Sequence, residues 1–147
     1  MAADPMTPLS VVARTLWGEA RGDGVPGMHA VANVIGNRVR NPRWWGRDWI
    51  GVCTKPWQFS CWNEGDPNRA KLLAVTAADP EYAEAIDIAR RAIAGELPDI
   101  TDNADSYYAI GSPAPFWVTS ATFTAQIGRQ LFYRTELPAP AASTPAA

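Results

Sequence analysis

The feature that most constrains the fold is a pair of amphipathic segments joined by a short glycine-rich turn. Apolar residues recur at helical spacing over residues 9–20 and again over residues 28–39. Thr7-Pro8 has the form of an N-cap followed by a proline in the first turn, and Asn41-Pro42 ends the second segment. Glycines within residues 22–24 separate the two segments. The pattern predicts a helical hairpin with a tight elbow.

A single carboxylate, Glu19, stands at this elbow. Trp17, two positions earlier, can supply apolar surface that raises the pKa of the Glu19 carboxyl group. A carboxyl group that stays protonated near neutral pH can act as a general acid. The alternative is a structural role, in which Glu19 forms a salt bridge with Arg21 at the end of the helix. We interpret Glu19 as the candidate catalytic residue.

The rest of the chain predicts an α+β fold that is mostly helical with a small antiparallel sheet. Residues 43–68 show no sustained period, and a loop of this length in a compact domain is usually functional. A short helix is expected over residues 68–76, and a stronger one starts at Asp79-Pro80 and stops at Gly95. Short strands are expected at residues 107–110, 116–118 and 130–133.

The 147 residues are expected to form one catalytic domain, residues 7–136, followed by a disordered tail, residues 137–147, that is rich in Pro and Ala. The first eight residues have neither a basic start nor an apolar run, so we expect no secretory signal. No segment reaches the ~18 apolar residues that span a bilayer, and no membrane insertion is expected. A protein made in the cytoplasm without a signal would need another route to act outside it.

The net charge of −2 argues against a general affinity for nucleic acid. One stretch is locally basic and rich in tryptophan. It is either a solvated patch beside a buried aromatic residue or a wall that docks an acidic, sugar-bearing polymer. Its members are Arg38, Arg40, Arg43, Arg47, Trp44, Trp45 and Trp49.

Cys53 and Cys61 lie eight positions apart, and no nearby Cys or His completes a metal site. We therefore expect no metal and no cofactor. In an oxidising compartment the two cysteines would form a disulfide, which would stabilise the fold by roughly 2–3 kcal/mol. The alternative is a pair of buried free thiols.

Four blocks of sequence carry a resemblance to a known family: residues 14–22 (RTLWGEARG), 30–39 (AVANVIGNRV), 58–60 (QFS) and 131–133 (LFY). Together they resemble the SleB-type cell wall hydrolases, the spore cortex-lytic enzyme family, over about residues 9–134. The resemblance implies a lysozyme-like domain that cuts the glycan strand of peptidoglycan, with Glu19 as its essential carboxylate. The sequence departs from the family pattern at Gln130, where the family often has His.

The family also resembles lytic transglycosylases, which cleave the β-1,4 bond between N-acetylmuramic acid and N-acetylglucosamine and leave a 1,6-anhydro end. In that reaction one carboxyl group acts first as acid and then as base. A hydrolytic muramidase would need a second carboxylate. No spacing rule selects one among the acids of the loops, which are Asp23, Glu64, Asp66, Asp99 and Asp102.

Several other side chains are candidates for binding sugar or supporting Glu19. Gln58 and Ser60 could bind N-acetyl groups or hydroxyls, and Trp57 and Trp62 could serve as sugar platforms. The alternative for these residues is ordinary packing. On the predicted first strand one of two neighbouring tyrosines should face the cleft, together with nearby turn residues: Tyr107 or Tyr108, with Asp102 and Asn103. Three residues are predicted to support Glu19 from outside the cleft: Asn33, Asn37 and Arg21.

The leading prediction is thus an enzyme that lyses peptidoglycan, a monomer of the phage endolysin type that reaches the wall in the periplasm through a holin-type pore. One alternative is a catalytically silent glycan-binding module on the same fold. Another is a nucleic-acid binder that uses the Arg/Trp stretch, which the overall acidity disfavours.

Overall fold

The computed structural model describes residues 6–135, so the predicted tail, residues 137–147, and residue 136 lie outside the described residues. The described chain is mostly helical, with one small antiparallel sheet, as predicted. The helices are α1 (Pro8–Ala20), α2 (Gly24–Arg40), α3 (Trp49–Thr54), α4 (Pro67–Ala74) and α5 (Pro80–Ile93). The strands are β1 (Ser106–Ala109), β2 (Thr122–Ile127) and β3 (Gln130–Arg134).

The predicted helical hairpin is present, and its elbow is a short 3-10 helix at Arg21–Asp23. The side chain of Thr7 accepts a hydrogen bond from the backbone N–H of Ser10 over 3.1 Å, which satisfies one free donor at the start of α1. Asp79 caps α5 in the same way through Tyr82. Helix α1 packs mainly against α5 and α2. Its buried face includes Val11, Val12 and Leu16, and this face forms the centre of the main core.

Strand β3 is the middle strand of the sheet and pairs antiparallel with both β1 and β2. Two of the three predicted strands are observed. The prediction of a strand at residues 116–118 is wrong, because Phe116–Ser120 is a 3-10 helix and the strand is β2. Pro113 and Pro115 precede this segment, and proline cannot donate to a strand ladder.

The long segment 43–68 is more ordered than its lack of period predicts. It contains α3 and a 3-10 helix at Ser60–Trp62. The side chain of Asp48 starts α3 by accepting from the backbone N–H of Gly51 over 2.7 Å. The segment buries Trp45 before α3 and Phe59 after it in the core. Within residues 6–135, no helix has the length and apolar character required to cross a bilayer.

Candidate active site

A cavity of about 560 Å³ opens beside the last turn of α1. Its walls come from α1, from the loop before the 3-10 helix at residues 60–62, from β1 and from the 3-10 helix at residues 116–120. The volume lies within the range that is typical of ligand sites. The residues that line it are Glu19, Arg38, Arg43, Trp44, Trp57, Gln58, Phe59, Ser106, Tyr107, Pro115, Phe116, Trp117, Ser120 and Thr135.

Glu19 is held in this cavity by hydrogen bonds from Cys61 and Tyr107. The backbone N–H of Cys61 donates to Oε2 of Glu19 over 3.2 Å, and the Tyr107 hydroxyl lies 3.5 Å from Oε1. Burial raises the pKa of the Glu19 carboxyl group, and the negative charge of Asp66 adds a smaller rise. Hydrogen bonds from the Cys61 thiol, the Cys61 backbone and Tyr107 oppose the rise in pKa without cancelling it. A sheltered carboxyl group of this kind suits a general acid.

Trp17 does not supply the apolar surface that the sequence predicted for Glu19. Residues two positions apart point roughly 200° away from each other around a helix. The Trp17 indole accordingly faces the other side of α1, where its Nε1 donates to Oδ1 of Asp79 over 3.2 Å. The shelter of Glu19 comes instead from residues far along the chain, Cys61 and Tyr107.

Arg21 forms no ion pair with Glu19 in the described part of the chain. Its guanidinium lies 4.0 Å from the centre of the Trp17 ring and donates to the backbone oxygen of Trp17 over 2.9 Å. Its second nitrogen donates to Oδ1 of Asn68 over 3.0 Å. Arg21 therefore ties the end of α1 to α4 and has no contact with the Glu19 carboxylate.

Asn33 and Asn37 form hydrogen bonds with residues 98–104 and not with the turn that carries Glu19. Asn33 donates to the backbone oxygen of Pro98 over 3.1 Å, and Asn37 donates to the backbone oxygen of Ala104 over 2.8 Å. Both side chains are buried and fix the segment that leads into β1. The prediction that one of them bonds the Glu19 turn is wrong, because they lie several turns along α2 from the elbow.

Three predicted substrate-binding residues line the cavity with Glu19: Trp57, Gln58 and Tyr107. Trp57 is 80% exposed and has a φ of 68°, a left-handed backbone conformation that is rare for a bulky residue. Strain of this kind is typical of functional sites. The side chain of Gln58 is positioned by Arg38, whose Nη1 donates a hydrogen bond to Oε1 of Gln58 over 3.4 Å.

The other predicted substrate-binding residues do not line the cavity. Nε1 of Trp62 donates to Thr15 over 2.8 Å, so this indole packs against α1. Tyr108 faces the opposite side of the sheet from Tyr107, because side chains alternate along a strand, and it stacks on Tyr133. Three exposed residues also lie outside the lining: Ser60, Asp102 and Asn103.

Both cysteines are buried free thiols, so the predicted disulfide is not formed. Burial raises the pKa of Cys53 to about 12, and the thiol is hydrogen-bonded to the Thr15 side chain. Burial also raises the pKa of Cys61, whose thiol is hydrogen-bonded to Glu19. Each thiol therefore stays protonated and has a partner other than the second cysteine.

The basic, tryptophan-rich stretch divides between the cavity and the rest of the molecule. Arg38, Arg43 and Trp44 line the cavity, whereas Trp45 is buried and Arg40 and Arg47 are exposed outside it. Sequence reasoning missed the opposite wall. The sequence signal for this wall is an aromatic pair that directly follows two prolines, in a segment interpreted as a strand. The residues of the wall are Pro115, Phe116, Trp117 and Ser120. Ser106 and Thr135 were missed as well.

The family model that describes cell wall hydrolases matches residues 22–133 of this chain. The chain belongs to the cell wall hydrolase family. It is therefore an enzyme of a family that degrades peptidoglycan, and the resemblance seen in its sequence blocks is confirmed at this level.

Two solved structures share the fold of this cell wall hydrolase. The catalytic domain of the germination-specific lytic transglycosylase SleB from Bacillus anthracis has a TM-score of 0.69 and 24% identity, and the match covers 89% of this chain and 97% of that one. The catalytic domain of the Bacillus cereus SleB protein has a TM-score of 0.64 and 23% identity, over 86% of this chain and 89% of that one. No curated protein sequence matches the chain.

Among the described residues that line the cavity of this cell wall hydrolase, Glu19 is the only one with a carboxyl group. Asp66 acts on Glu19 through its charge, but its Oδ1 accepts from the backbone N–H of Asn68 over 2.8 Å and caps α4. Asp99 accepts hydrogen bonds from both N–H and hydroxyl of Thr101, which lower its pKa despite partial burial. The remaining acids considered above, Asp23, Glu64 and Asp102, are exposed and outside the cavity.

Gln130, the departure from the family pattern, begins β3 and does not line the cavity. Its Oε1 is buried and has no hydrogen-bond partner among residues 6–135. Gln130 therefore contributes no side chain to the wall of the cavity. Its consequence is a cost in stability, because an unsatisfied buried oxygen loses its bonds to water.

Proposed function

We propose that this cell wall hydrolase cleaves the β-1,4 bond between N-acetylmuramic acid and N-acetylglucosamine as a lytic transglycosylase, with Glu19 as its single acid and base. The observation that carries the proposal is the cavity itself. Among the described residues that line it, one carboxyl group is present, it is sheltered, and its pKa is raised. The fold shared with a protein described as a lytic transglycosylase adds support.

The chemistry follows from the two states of one carboxyl group. Protonated Glu19 donates its hydrogen to the glycosidic oxygen, the C1–O bond of the muramic residue breaks, and the glucosamine end leaves as an alcohol. The resulting Glu19 carboxylate then takes the proton from the muramic 6-hydroxyl while that oxygen bonds to C1. The product is a 1,6-anhydro ring, Glu19 is protonated again, and no water is consumed.

Hydrogen bonding and burial of Glu19 favour opposite halves of this cycle. The backbone N–H of Cys61 and the Tyr107 hydroxyl stabilise the carboxylate that forms after the first proton transfer. Burial favours the protonated form that starts the reaction. The two influences act in opposite directions on the pKa of a group that serves in turn as acid and base.

The rim of the cavity fits a sugar polymer. Trp57 and Phe116, which line the cavity, are 80% and 91% exposed. Large exposed aromatic residues at a cleft mark a binding surface. In this proposal they stack on the apolar faces of sugar rings, and Gln58 binds hydroxyl or N-acetyl groups.

The first experiment measures turbidity loss of outer-membrane-permeabilised bacterial cells with the wild type and with Glu19→Gln. The substitution keeps the shape of the side chain and removes the proton, so lysis should fall by at least about 10²-fold. Glu64→Gln removes an exposed carboxylate outside the cavity and should lyse cells at the wild-type rate. Lysis by Glu19→Gln at that rate would remove Glu19 from the mechanism, and binding without lysis by the wild type would indicate a silent binding module.

The second experiment separates a transglycosylase from a muramidase by mass analysis of the released sugars. Anhydro ends, lighter than reducing ends by one water, support the proposal, whereas reducing ends indicate hydrolysis. Asp66→Ser tests the nearest rival carboxylate, because serine keeps the helix cap that alanine would lose. The variant should retain activity and the same products; loss of activity with a folded protein would assign Asp66 a part in the reaction.

The endolysin role, a holin-type pore for export and a monomeric state stay predictions of the sequence. Turbidity loss of intact bacterial cells after the protein is added from outside tests the endolysin role. The mass of the protein in solution tests the monomeric state.

A further inference from the structure

The charge inside the cavity is opposite to the charge of the chain. The chain has a net charge of −2, yet two arginines, Arg38 and Arg43, line the cavity against a single carboxyl group, Glu19. Burial holds that carboxyl group toward its neutral form. The cavity is therefore a positive site on a negative protein, which favours an anionic ligand.

Arg38 forms the inner part of this positive site. It is only 6% exposed, its Nε donates to the backbone oxygen of Asp105 over 2.7 Å, and its guanidinium lies 5.1 Å from the centre of the Trp45 ring. Within residues 6–135 no carboxylate lies within 4.0 Å of it, and its Nη2 donates to none of the described residues. A buried cation without a counter-ion is costly, and a bound anion removes that cost.

Arg43 forms the outer part. Its guanidinium lies 4.7 Å from the centre of the same Trp45 ring, and Nη1 donates to Oγ1 of Thr135 over 3.1 Å. The described residues place no carboxylate within 4.0 Å of Arg43. Contact with one indole places both guanidiniums side by side before a ligand arrives, and a guanidinium can bind a planar anion through two parallel hydrogen bonds.

Asp105 acts on Arg38 through its charge but forms no ion pair with Arg38 or Arg43 among the described residues. Its Oδ1 accepts from the hydroxyls of Thr135 and Ser106, each over 2.9 Å, and from the backbone N–H of Thr135 over 3.1 Å. These bonds turn the carboxylate toward the start of β1 and the end of β3. The two guanidiniums remain available to a ligand in the cavity.

We propose that Arg38 and Arg43 bind a carboxylate on the muramic side of the glycan strand. This inference rests on the proposed function, because it takes the bond at Glu19 to be a muramic glycosidic bond. Tyr107 connects the two parts of the site, since its hydroxyl lies 3.5 Å from Glu19 and the charge of Arg38 acts on it. The muramic residue that is attacked at C1 also carries the acidic branch of the polymer. The carboxylate is either that of the lactyl group on a bare strand or one on the stem peptide.

The test compares Arg43→Gln with Arg47→Gln on purified peptidoglycan. Both substitutions remove one arginine, but Arg47 is exposed and outside the cavity. Arg43→Gln should lower kcat/KM by about tenfold or more, as loss of a charged hydrogen bond implies, and Arg47→Gln should not. Arg43→Lys keeps the positive charge but loses the planar guanidinium, so its kcat/KM should lie between those of the wild type and Arg43→Gln. Equal values for Arg43→Gln and Arg47→Gln would overturn the inference.

A second arm changes the substrate, so that a merely structural role of Arg43 is recognised. Converting the carboxylates of peptidoglycan to amides should lower kcat/KM of the wild type by the same factor as Arg43→Gln does on unmodified peptidoglycan. On the amidated substrate, Arg43→Gln should have the same kcat/KM as the wild type. If Arg43→Gln lowers kcat/KM by the same factor on both substrates, Arg43 does not bind a carboxylate and the inference is wrong. Peptidoglycan left intact by the wild type would instead defeat the proposed function.

Enzymatic removal of the stem peptides then identifies the source of the carboxylate. An Arg43 effect that persists on stem-free strands assigns the lactyl carboxylate to the site. An effect confined to strands that carry stems assigns a stem carboxylate. Either result supports an anion site at Arg38 and Arg43.

Discussion

The backbone N–H of Cys61 donates to Oε2 of Glu19 over 3.2 Å, across 42 positions of sequence. Gly18 makes this approach possible. A Cβ at position 18 would lie 2.9 Å from both Cβ and Sγ of Cys61, which is closer than atoms of this kind pack. The glycine before Glu19 is therefore required by a close contact between α1 and the segment that carries Cys61.

Gly18→Ala should move Cys61 away from Glu19. We expect overpacking to lower the free energy of unfolding by about 1–3 kcal/mol and to lower kcat, because Glu19 loses a donor. Gly22→Ala is the matched control, since nothing lies within 4 Å of the Cβ it would add. Thermal unfolding and lysis rates check both variants. Equal behaviour of the two alanine variants would show that the close contact does not matter.

The raised pKa of Glu19 makes the fold less stable as the pH rises. The unfolded chain loses this proton near the ordinary value of 4.5, whereas the folded chain keeps it to higher pH. Between these two pKa values the folded state binds more protons, so the free energy of unfolding falls with pH by at most about 1.4 kcal/mol per unit.

Glu19→Gln carries no titrating group, so its stability relative to the wild type should rise as the pH increases above 4.5 and then level off. Denaturant unfolding of both proteins at several pH values measures the difference. Glu64→Gln, which removes an exposed carboxylate outside the cavity, is the control variant. A constant difference between Glu19→Gln and the wild type would contradict a raised pKa.

The thiol of Cys61 should lower the upper pH limit of activity, against the effect of burial. Its hydrogen bond lowers the pKa of Glu19, so Cys61→Ala should let that pKa rise further. Activity that needs protonated Glu19 is lost as pH rises through this pKa, and the basic limb of kcat/KM should therefore move to higher pH. Cys61→Ser retains a donor and should keep the limb in place.

Cys53→Ala is the matched control for the pH profile, because it removes the same atoms from a thiol that bonds Thr15. Its loss of stability should resemble that of Cys61→Ala, and its basic limb should coincide with that of the wild type. Identical shifts of the limb in both variants would indicate a general loosening of the core.

The buried oxygen of Gln130 should cost stability. Gln130→Met keeps the volume of the side chain and removes the unsatisfied oxygen, so we expect the free energy of unfolding to rise by about 1 kcal/mol. Gln126→Met, at an exposed position on β2, serves as the control. Lower thermal stability of Gln130→Met than of the wild type would mean that the oxygen has a partner.

Local patterns were enough to predict most of the helices. Thr7, Asp79 and the prolines that follow them mark helix starts through bonds made within one turn of the chain. Local patterns fail where distant residues determine the backbone conformation. The sequence predicts a strand at Phe116, whereas the structure has a 3-10 helix there, on the wall of the cavity.

The sequence by itself determined the helical hairpin, the α+β class and the position of Glu19, because periodicity, caps and a distinctive block of residues are local. Tertiary structure decided what surrounds that carboxyl group. Trp17, two positions away, faces the opposite side of α1, whereas Cys61 and Tyr107 reach Glu19 from elsewhere in the chain. The pKa of a buried acid depends on what packs around it, and no spacing along the chain records that packing.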